Sequence, residues 1–154
     1  MDLRDLYQDI ILDHGQHPRN YHKLDHPSHF ANGHNPLCGD RVTVYVEMDG
    51  DTINDVSFEG RGCAISQASA SLMTEILKGK NRAEADALFR SFHAKVTGGA
   101  EAPVPAALED DAERLEPLTG VKTYPARVKC ATLAWHAFEA ALKTGAIGAT
   151  VRTE

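Results

Sequence analysis

The chain has 154 residues, of which 42% are hydrophobic, and its formal net charge is −6. This length and composition fit a single domain over residues 1–154 with a hydrophobic core, and leave little room for a second domain. The acidic balance argues against nucleic acid as a partner, and no apolar run approaches the roughly 20 residues that span a membrane. Because the first residues also lack a secretory signal, we expect a cytoplasmic protein.

The first half of the chain predicts one helix and one hairpin. Apolar residues recur at helical spacing over residues 3–11, which predicts a short amphipathic helix. Residues 14–36 lose this periodicity and contain breaker pairs such as His17-Pro, so we expect a polar loop. Valines alternate along residues 41–48, and an Asp-Gly turn leads into residues 52–59. This pattern predicts an antiparallel β-hairpin.

The second half predicts three helices. An apolar stripe over residues 66–78 ends at a glycine suited to a helix cap, and another helix is expected over residues 81–96. Pro125 suits the first turn of a last helix that ends near Gly145. Cys130 is therefore expected on a helix, close to its start.

Two segments of the second half are expected to be irregular. Residues 98–124 are acidic and rich in proline, and have room for at most one short helix near residues 106–115. We interpret this segment as an insertion before the last helix, either a flexible spacer or a docking element. Residues 146–154 are expected to form a frayed tail.

Three cysteines carry most of the chemical information. Cys38 and Cys63 are flanked by glycine, and each of the three, including Cys130, has a charged residue within two positions. An odd number of cysteines in a reducing compartment disfavours disulfides and leaves metal binding or thiol chemistry. Thiolates suit zinc or iron with sulfur. We interpret the three as one shared metal or sulfur site, the alternative being three unrelated buried thiols.

A tetrahedral site requires a fourth donor, and Asp40 is the best candidate. The glycine between Cys38 and Asp40 allows both side chains to turn toward one ion. The alternative is that Asp40 only caps the turn before the strand. Cys63 directly precedes a predicted helix, whose free N–H groups stabilise a thiolate. That position favours a ligand or nucleophile over a core residue.

Spacing excludes several other metal proteins. No Cys-x-x-Cys pair is present, so zinc fingers and ribbons are disfavoured. The His-x-Glu and Pro-Cys-x-x-Cys segments of nucleic-acid deaminases are also absent. Most histidines fall in the predicted polar loop, where a solvated loop is favoured over a second metal site. His34 and His136 lie closer to cysteines, and their roles stay open.

Three motifs resemble a known family: Asn35-Pro-Leu-Cys-Gly-Asp, Gly62-Cys-Ala-Ile-Ser-Gln-Ala-Ser-Ala-Ser and Lys129-Cys-Ala-Thr-Leu. Together they resemble the IscU-like proteins of iron-sulfur cluster assembly, which include the NifU amino-terminal domain and SufU. The resemblance covers nearly the whole chain in order. It implies an α+β fold of the SufE/NifU-like type, in which helices pack on a small three-stranded antiparallel sheet. The three cysteines would then gather at one exposed end.

Two departures from the scaffold members resemble the SufU branch. Lys129 stands where those members have histidine, and the insertion over residues 98–124 is present. The SufU resemblance implies sulfur transfer from a SufS-like cysteine desulfurase, with Cys38 as nucleophile and Arg127 as a second functional residue. A partner group would take one zinc position and release Cys38 to attack the persulfide. The implied ligands of the Zn²⁺ ion are Cys38, Asp40, Cys63 and Cys130.

Two alternatives differ in class from this sulfurtransferase. One is a scaffold that builds a transient [2Fe-2S] cluster and transfers it to apo-proteins or to a downstream SUF scaffold. The other is a passive structural-zinc protein, which would unfold when stripped of metal. The functions of Lys129 and Arg127 also have a plain alternative, because either is compatible with a solvated charge on the last helix.

Overall fold

The computed structural model describes residues 2–144 and 147–152, which form an α+β fold. The predicted helices and the hairpin are all present. Among the described residues, no helix is both long enough and apolar enough to cross a bilayer. The elements in chain order are α1 (Leu3–Gln16), β1 (His29–Asn35), β2 (Asp40–Asp49), β3 (Thr52–Arg61), α2 (Ala64–Leu77), α3 (Arg82–Thr97), a 3-10 helix (Ala106–Leu108), α4 (Glu109–Glu113), a second 3-10 helix (Glu116–Thr123), α5 (Pro125–Thr144) and β4 (Ile147–Arg152).

The sheet has four strands in the order β3-β2-β1-β4. β1, β2 and β3 pair antiparallel, whereas β4 pairs parallel to β1. The prediction of three antiparallel strands is therefore wrong, because the sheet is larger and mixed. Asn35 pairs with Asp40 across the short turn between β1 and β2, which brings two residues of the first cysteine motif together.

β1 lies within the segment predicted to be a polar loop, and that prediction is wrong for His29–Asn35. The core-facing residues of this strand are Ala31, Gly33 and Asn35, none of which is a large apolar residue. A Cβ atom at Gly33 would lie 3.0 Å from a methyl carbon of Leu133 on α5. Because α5 packs so closely on β1, the strand requires small residues where alternation normally shows large ones.

The core lies between the sheet and helices α2 and α5. Hydrogen bonds between the helices also fix their relative positions. The Ser69 hydroxyl donates to the Ala131 carbonyl oxygen at 2.5 Å, which joins α2 to α5 beside Cys130. On the other side of α2, His14 Nδ1 lies 2.8 Å from Ser71 Oγ and ties α1 to the same helix. These contacts fix the relative positions of the segments that carry Cys63 and Cys130.

The insertion over residues 98–124 is built into the core rather than flexible. It forms α4 and two 3-10 helices, where the sequence predicted at most one short helix. Its leucine and valine side chains at four positions are buried, and burying each stabilises the fold by about 1.5–3 kcal/mol; they are Leu108, Leu115, Leu118 and Val121. The spacer alternative is therefore wrong. The role of the segment in docking remains a prediction.

The tail predicted to fray from residue 146 forms a strand over Ile147–Arg152, and the prediction is corrected there. β1 has a second edge of free N–H and C=O groups, and β4 pairs with it from Phe30 to His34. Thr150 and Val151 are β-branched residues, which favour strands. Residues 145, 146, 153 and 154 lie outside the described residues.

Candidate metal centre

Cys38 lies at the tip of the turn between β1 and β2. The Asn35 carbonyl oxygen accepts hydrogen bonds from the N–H groups of Gly39, at 2.8 Å, and Cys38, at 3.3 Å. Gly39 has φ +73°, a conformation that glycine adopts without strain. The turn leaves Cys38 exposed, next to a Leu37 side chain that is also exposed.

Asp40 is buried directly behind this turn, with 1% of its surface exposed. Its Oδ1 accepts the backbone N–H of Cys63 at 3.0 Å, and its Oδ2 lies 4.0 Å from the Cys63 sulfur. The carboxylate thus reaches across to the junction of β3 and α2, instead of only capping its own turn. As predicted, Cys63 directly precedes a helix, since it is the N-cap residue of α2.

Cys130 lies in the second turn of α5 and is fully buried. Its sulfur lies 3.7 Å from the Asn35 side-chain nitrogen and 3.7 Å from the Ala126 carbonyl oxygen. Burial raises the pKa of the Cys130 thiol, and its contacts with Asp40 and Cys63 add to the rise. A deprotonated Cys130 therefore requires a compensating positive charge in this pocket.

One cluster of three ligand atoms results, from Cys38, Asp40 and Cys130, and these atoms all lie within 4.8 Å of one another. A tetrahedral zinc ion with Zn–S of about 2.3 Å separates two sulfur ligands by about 3.8 Å. The three ligand atoms therefore fit zinc if the distances between them shorten slightly. Cys63 lies outside this closest group, but its sulfur is beside the Asp40 carboxylate and can supply the fourth position.

Arg127 is an exposed residue one helical turn before Cys130. The neighbouring thiols, first Cys63 and then Cys130, raise the pKa of its guanidinium, which lies beside both. The structure thus brings Arg127 to the cysteine cluster by its side chain. Lys129 is half-buried on the same helix.

The histidines do not join this centre. His136 packs edge-on against Phe89 and His93, with ring centroids 5.2 Å and 5.7 Å away. His34 lies on β1, paired with Arg41. In the described part of the chain, the cluster of Cys38, Asp40 and Cys130 is the only group of three or more ligand side chains close enough to share an ion.

Two residues, Asn35 and Gly62, were not identified from the sequence as parts of the candidate metal centre. Asn35 is fully buried and contacts Cys130, although it was named from the sequence only as the first residue of a cysteine motif. A Cβ atom at Gly62 would lie 2.2 Å from Ser66 Oγ and 2.7 Å from Asp40 Oδ1, so only glycine fits there. The signal for both was their position within the cysteine motifs.

The fold and the cysteine cluster define the class of protein. The sequence profile of the NifU-like N-terminal domain matches residues 6–131, and the chain belongs to that family. A solved structure of a nitrogen-fixing NifU-like protein (N-terminal) from Brucella abortus is 26% identical to this chain, with a TM-score of 0.79 over 92% of this chain and 94% of that one. The predicted family resemblance is confirmed.

Particular relatives are similar over nearly their full length. The zinc-dependent sulfurtransferase SufU of Bacillus subtilis is 42% identical over 138 residues, which cover 90% of each chain. The iron-sulfur cluster assembly scaffold protein IscU of Streptococcus pyogenes is 39% identical over 94% of this chain and 87% of that protein. A putative SUF-system scaffold protein from Fervidobacterium islandicum has a TM-score of 0.76 at 36% identity, over 92% of this chain and 99% of that one.

Proposed function

We propose that this protein is a zinc-dependent sulfurtransferase of iron-sulfur cluster assembly, which accepts sulfur from a cysteine desulfurase on Cys38. The observation that carries the proposal is the difference in exposure among three clustered thiols. Cys38 is exposed, whereas Cys63 is half-buried and Cys130 is fully buried. Only Cys38 is open to a sulfur donor as large as a protein. The similarity to SufU of Bacillus subtilis supports the same function.

The proposed ligands of the zinc ion are Cys38, Asp40, Cys63 and Cys130. Bound zinc would supply the positive charge that keeps these thiols deprotonated without a strong base. Asp40 orients the cluster, because one of its oxygens is held by the Cys63 N–H while the other faces the thiols. Burial of Asp40 and Cys130 excludes water from the inner side of the cluster.

The chemical step is an exchange between two sulfur atoms. The Cys38 thiolate attacks the outer sulfur of a cysteine persulfide on the partner protein. A new S–S bond forms on Cys38 as the S–S bond of the donor breaks, and the donor cysteine leaves as a thiolate with the electron pair. Sulfur and electrons balance, so the step requires no external oxidant.

Arg127 is proposed to assist this exchange. Its guanidinium lies beside the Cys63 and Cys130 thiols, which belong to the same cluster as Cys38. A fixed positive charge at this position attracts an anionic persulfide and stabilises the thiolate that leaves. Arg127 is exposed, so solvent screens its charge and the expected contribution is modest.

A scaffold function is the second candidate, favoured by the similarity to IscU proteins. Three cysteine thiolates and one carboxylate are also suitable ligands for a transient [2Fe-2S] cluster. In either function the proposed partners are a SufS-like cysteine desulfurase in the cytoplasm and, downstream, apo-proteins or a SUF scaffold. A passive structural-zinc role is the third candidate.

The deciding experiment measures sulfide release from cysteine by the cognate desulfurase under anaerobic conditions. The reaction is run with the native protein loaded with zinc, with the metal-stripped protein, and with Cys38→Ser. Acceleration by the zinc-loaded native chain alone is the expected result. No acceleration, combined with a [2Fe-2S] cluster that forms on the chain and passes to an apo-protein, would favour the scaffold. If Cys38→Ser is destabilised while native protein leaves sulfide release unchanged, zinc is structural.

Arg127 is tested in the same assay. Arg127→Ala is expected to slow the zinc-dependent reaction severalfold while zinc content stays equal, and Arg127→Lys should restore part of the rate. Lys122→Ala removes an exposed cation from the preceding 3-10 helix and is the matched control. Equal rates for Arg127→Ala and Lys122→Ala would remove Arg127 from the proposed machinery.

A further inference from the structure

We infer that Asn35 is a positioning residue of the metal centre, whose amide group supports Cys130 while its carbonyl groups hold the turn that carries Cys38. The inference deepens the proposed function, on which it rests. It concerns a residue that donates no ligand atom itself. Its role is to make the buried and exposed thiols of one centre unequal.

Asn35 contacts the turn through both of its oxygen atoms and Cys130 through its side-chain nitrogen. Its backbone oxygen accepts the N–H groups of Cys38 and Gly39, at 3.3 Å and 2.8 Å. Its side-chain oxygen accepts the Leu37 N–H at 3.3 Å, and its side-chain nitrogen lies 3.7 Å from the Cys130 sulfur. Asn35 is fully buried, so these partners replace water.

The orientation of the amide follows from chemistry. The Leu37 N–H can only donate, so the Asn35 atom that faces it must be the oxygen. The NH₂ group is therefore left to face Cys130, as a donor to sulfur. An amide is the neutral group that accepts on one side and donates on the other, whereas a carboxylate would place a further negative charge beside the thiols.

These contacts make the sulfur atoms of Cys130 and Cys38 differ in nucleophilicity. An N–H group directed at a sulfur draws electron density from it and lowers its nucleophilicity. Within residues 2–144 and 147–152, Cys130 has such a donor and no hydrogen bond reaches the Cys38 sulfur. Cys130 is thus suited to remain a ligand, while Cys38 keeps the reactivity of an exposed thiol on a short turn.

The test uses the isolated protein loaded with Co²⁺, whose thiolate-to-metal absorption reports the electron density on sulfur. Asn35→Leu removes both the donor and the acceptor, and Asn35→Asp removes the donor but keeps an acceptor for Leu37. Both are expected to move this absorption to longer wavelength, because the sulfur becomes more electron-rich. Asn32→Leu is the matched control, since Asn32 lies on the same strand and, among the described residues, its side chain hydrogen-bonds Thr43 alone.

Metal affinity gives a second readout. Competition with a chromophoric chelator is expected to show zinc bound about 10- to 100-fold more weakly by Asn35→Leu than by the native chain, as for other residues that support a ligand. Asn32→Leu should retain native affinity. Unchanged absorption in Asn35→Asp, together with unchanged affinity in Asn35→Leu, would overturn the inference.

A measurement on the native chain covers the case in which the variants fail to fold. With ¹¹³Cd²⁺ bound, the side-chain amide proton of Asn35 is expected to show a coupling to cadmium through the N–H···S contact. A resolved amide signal without this coupling would also overturn the inference. None of these readouts involves a desulfurase, so a failed sulfur transfer and a failed Asn35 contact are separate results.

Discussion

Gly62→Ala is expected to damage the metal centre while leaving the fold largely intact. The added Cβ would lie 2.7 Å from Asp40 Oδ1 and 2.2 Å from Ser66 Oγ, and real Cβ atoms essentially never approach a neighbour closer than 3.0 Å. The Ser66 side chain can rotate away because it is a short hydroxyl. Asp40 cannot, since the same oxygen accepts the Cys63 N–H at 3.0 Å.

The magnitude follows from the contact that must be lost. A buried hydrogen bond to a charged group contributes about 1.5–3 kcal/mol, which sets the expected loss of unfolding free energy. Displacement of Asp40 also misplaces one ligand and the Cys63 N-cap. We therefore expect zinc to bind about 10- to 100-fold more weakly, as when a group that orients a ligand is removed.

Chelator competition for zinc affinity and urea unfolding for stability are the assays. Gly120→Ala is the matched control, because a Cβ there meets nothing within 4 Å. The double variant Gly62→Ala with Ser66→Ala removes the clash with Ser66 but keeps the clash with Asp40, so its zinc affinity should stay as low as in Gly62→Ala. Native zinc affinity in Gly62→Ala would refute the reasoning, because it would mean that Asp40 either does not move or does not matter.

Two further predictions concern stability. Leu118→Ala should lower the unfolding free energy by about 2–5 kcal/mol in urea titrations, because Leu118 is a fully buried core residue of the insertion; a change near zero would restore the spacer interpretation. Burial lowers the pKa of His14 below its ordinary value of 6.5, so the unfolded chain binds a proton first as pH falls. Stability should therefore decline as pH falls through the unfolded pKa of 6.5, and His14→Gln should reduce this decline. Parallel curves for native protein and His14→Gln would exclude a contribution from His14.

The elements with a regular period could be predicted from the sequence. The valines of β2 alternate, and the apolar stripe of α2 repeats at helical spacing, so each element is visible without knowledge of its neighbours. β1 could not be found in this way, because its close contact with α5 replaces large residues by Ala31 and Gly33. The insertion was predicted with at most one short helix near residues 106–115, but its second 3-10 helix and its burial were not predicted, because isolated buried leucines have no helical period.

The residues of the candidate metal centre also fall into two groups, those that could be predicted from the sequence and those that could not. Cys38, Cys63 and Cys130 stand out because cysteine is rare and reactive, and the short Cys-Gly-Asp spacing drew attention to Asp40. Asn35 and Gly62 act through partners that only the folded chain brings near, which are Cys130 for the first and Asp40 for the second. Their residue types suit an ordinary turn equally well, so spacing alone could not separate a turn residue from a positioning residue.

The ribosome makes the three cysteines of the proposed metal centre one after another, so the first two exist for a time without the third. Cys38 and Cys130 are 92 residues apart in sequence, as 130 less 38. At synthesis rates of about 5–20 residues per second, roughly 5 to 20 seconds separate the two thiols. Cys38 and Cys63 therefore leave the peptidyl-transferase centre before α5, the helix that carries Cys130, has been made. A nascent chain therefore carries two of the three thiols of the proposed metal centre, open to oxidation, until α5 emerges and folds.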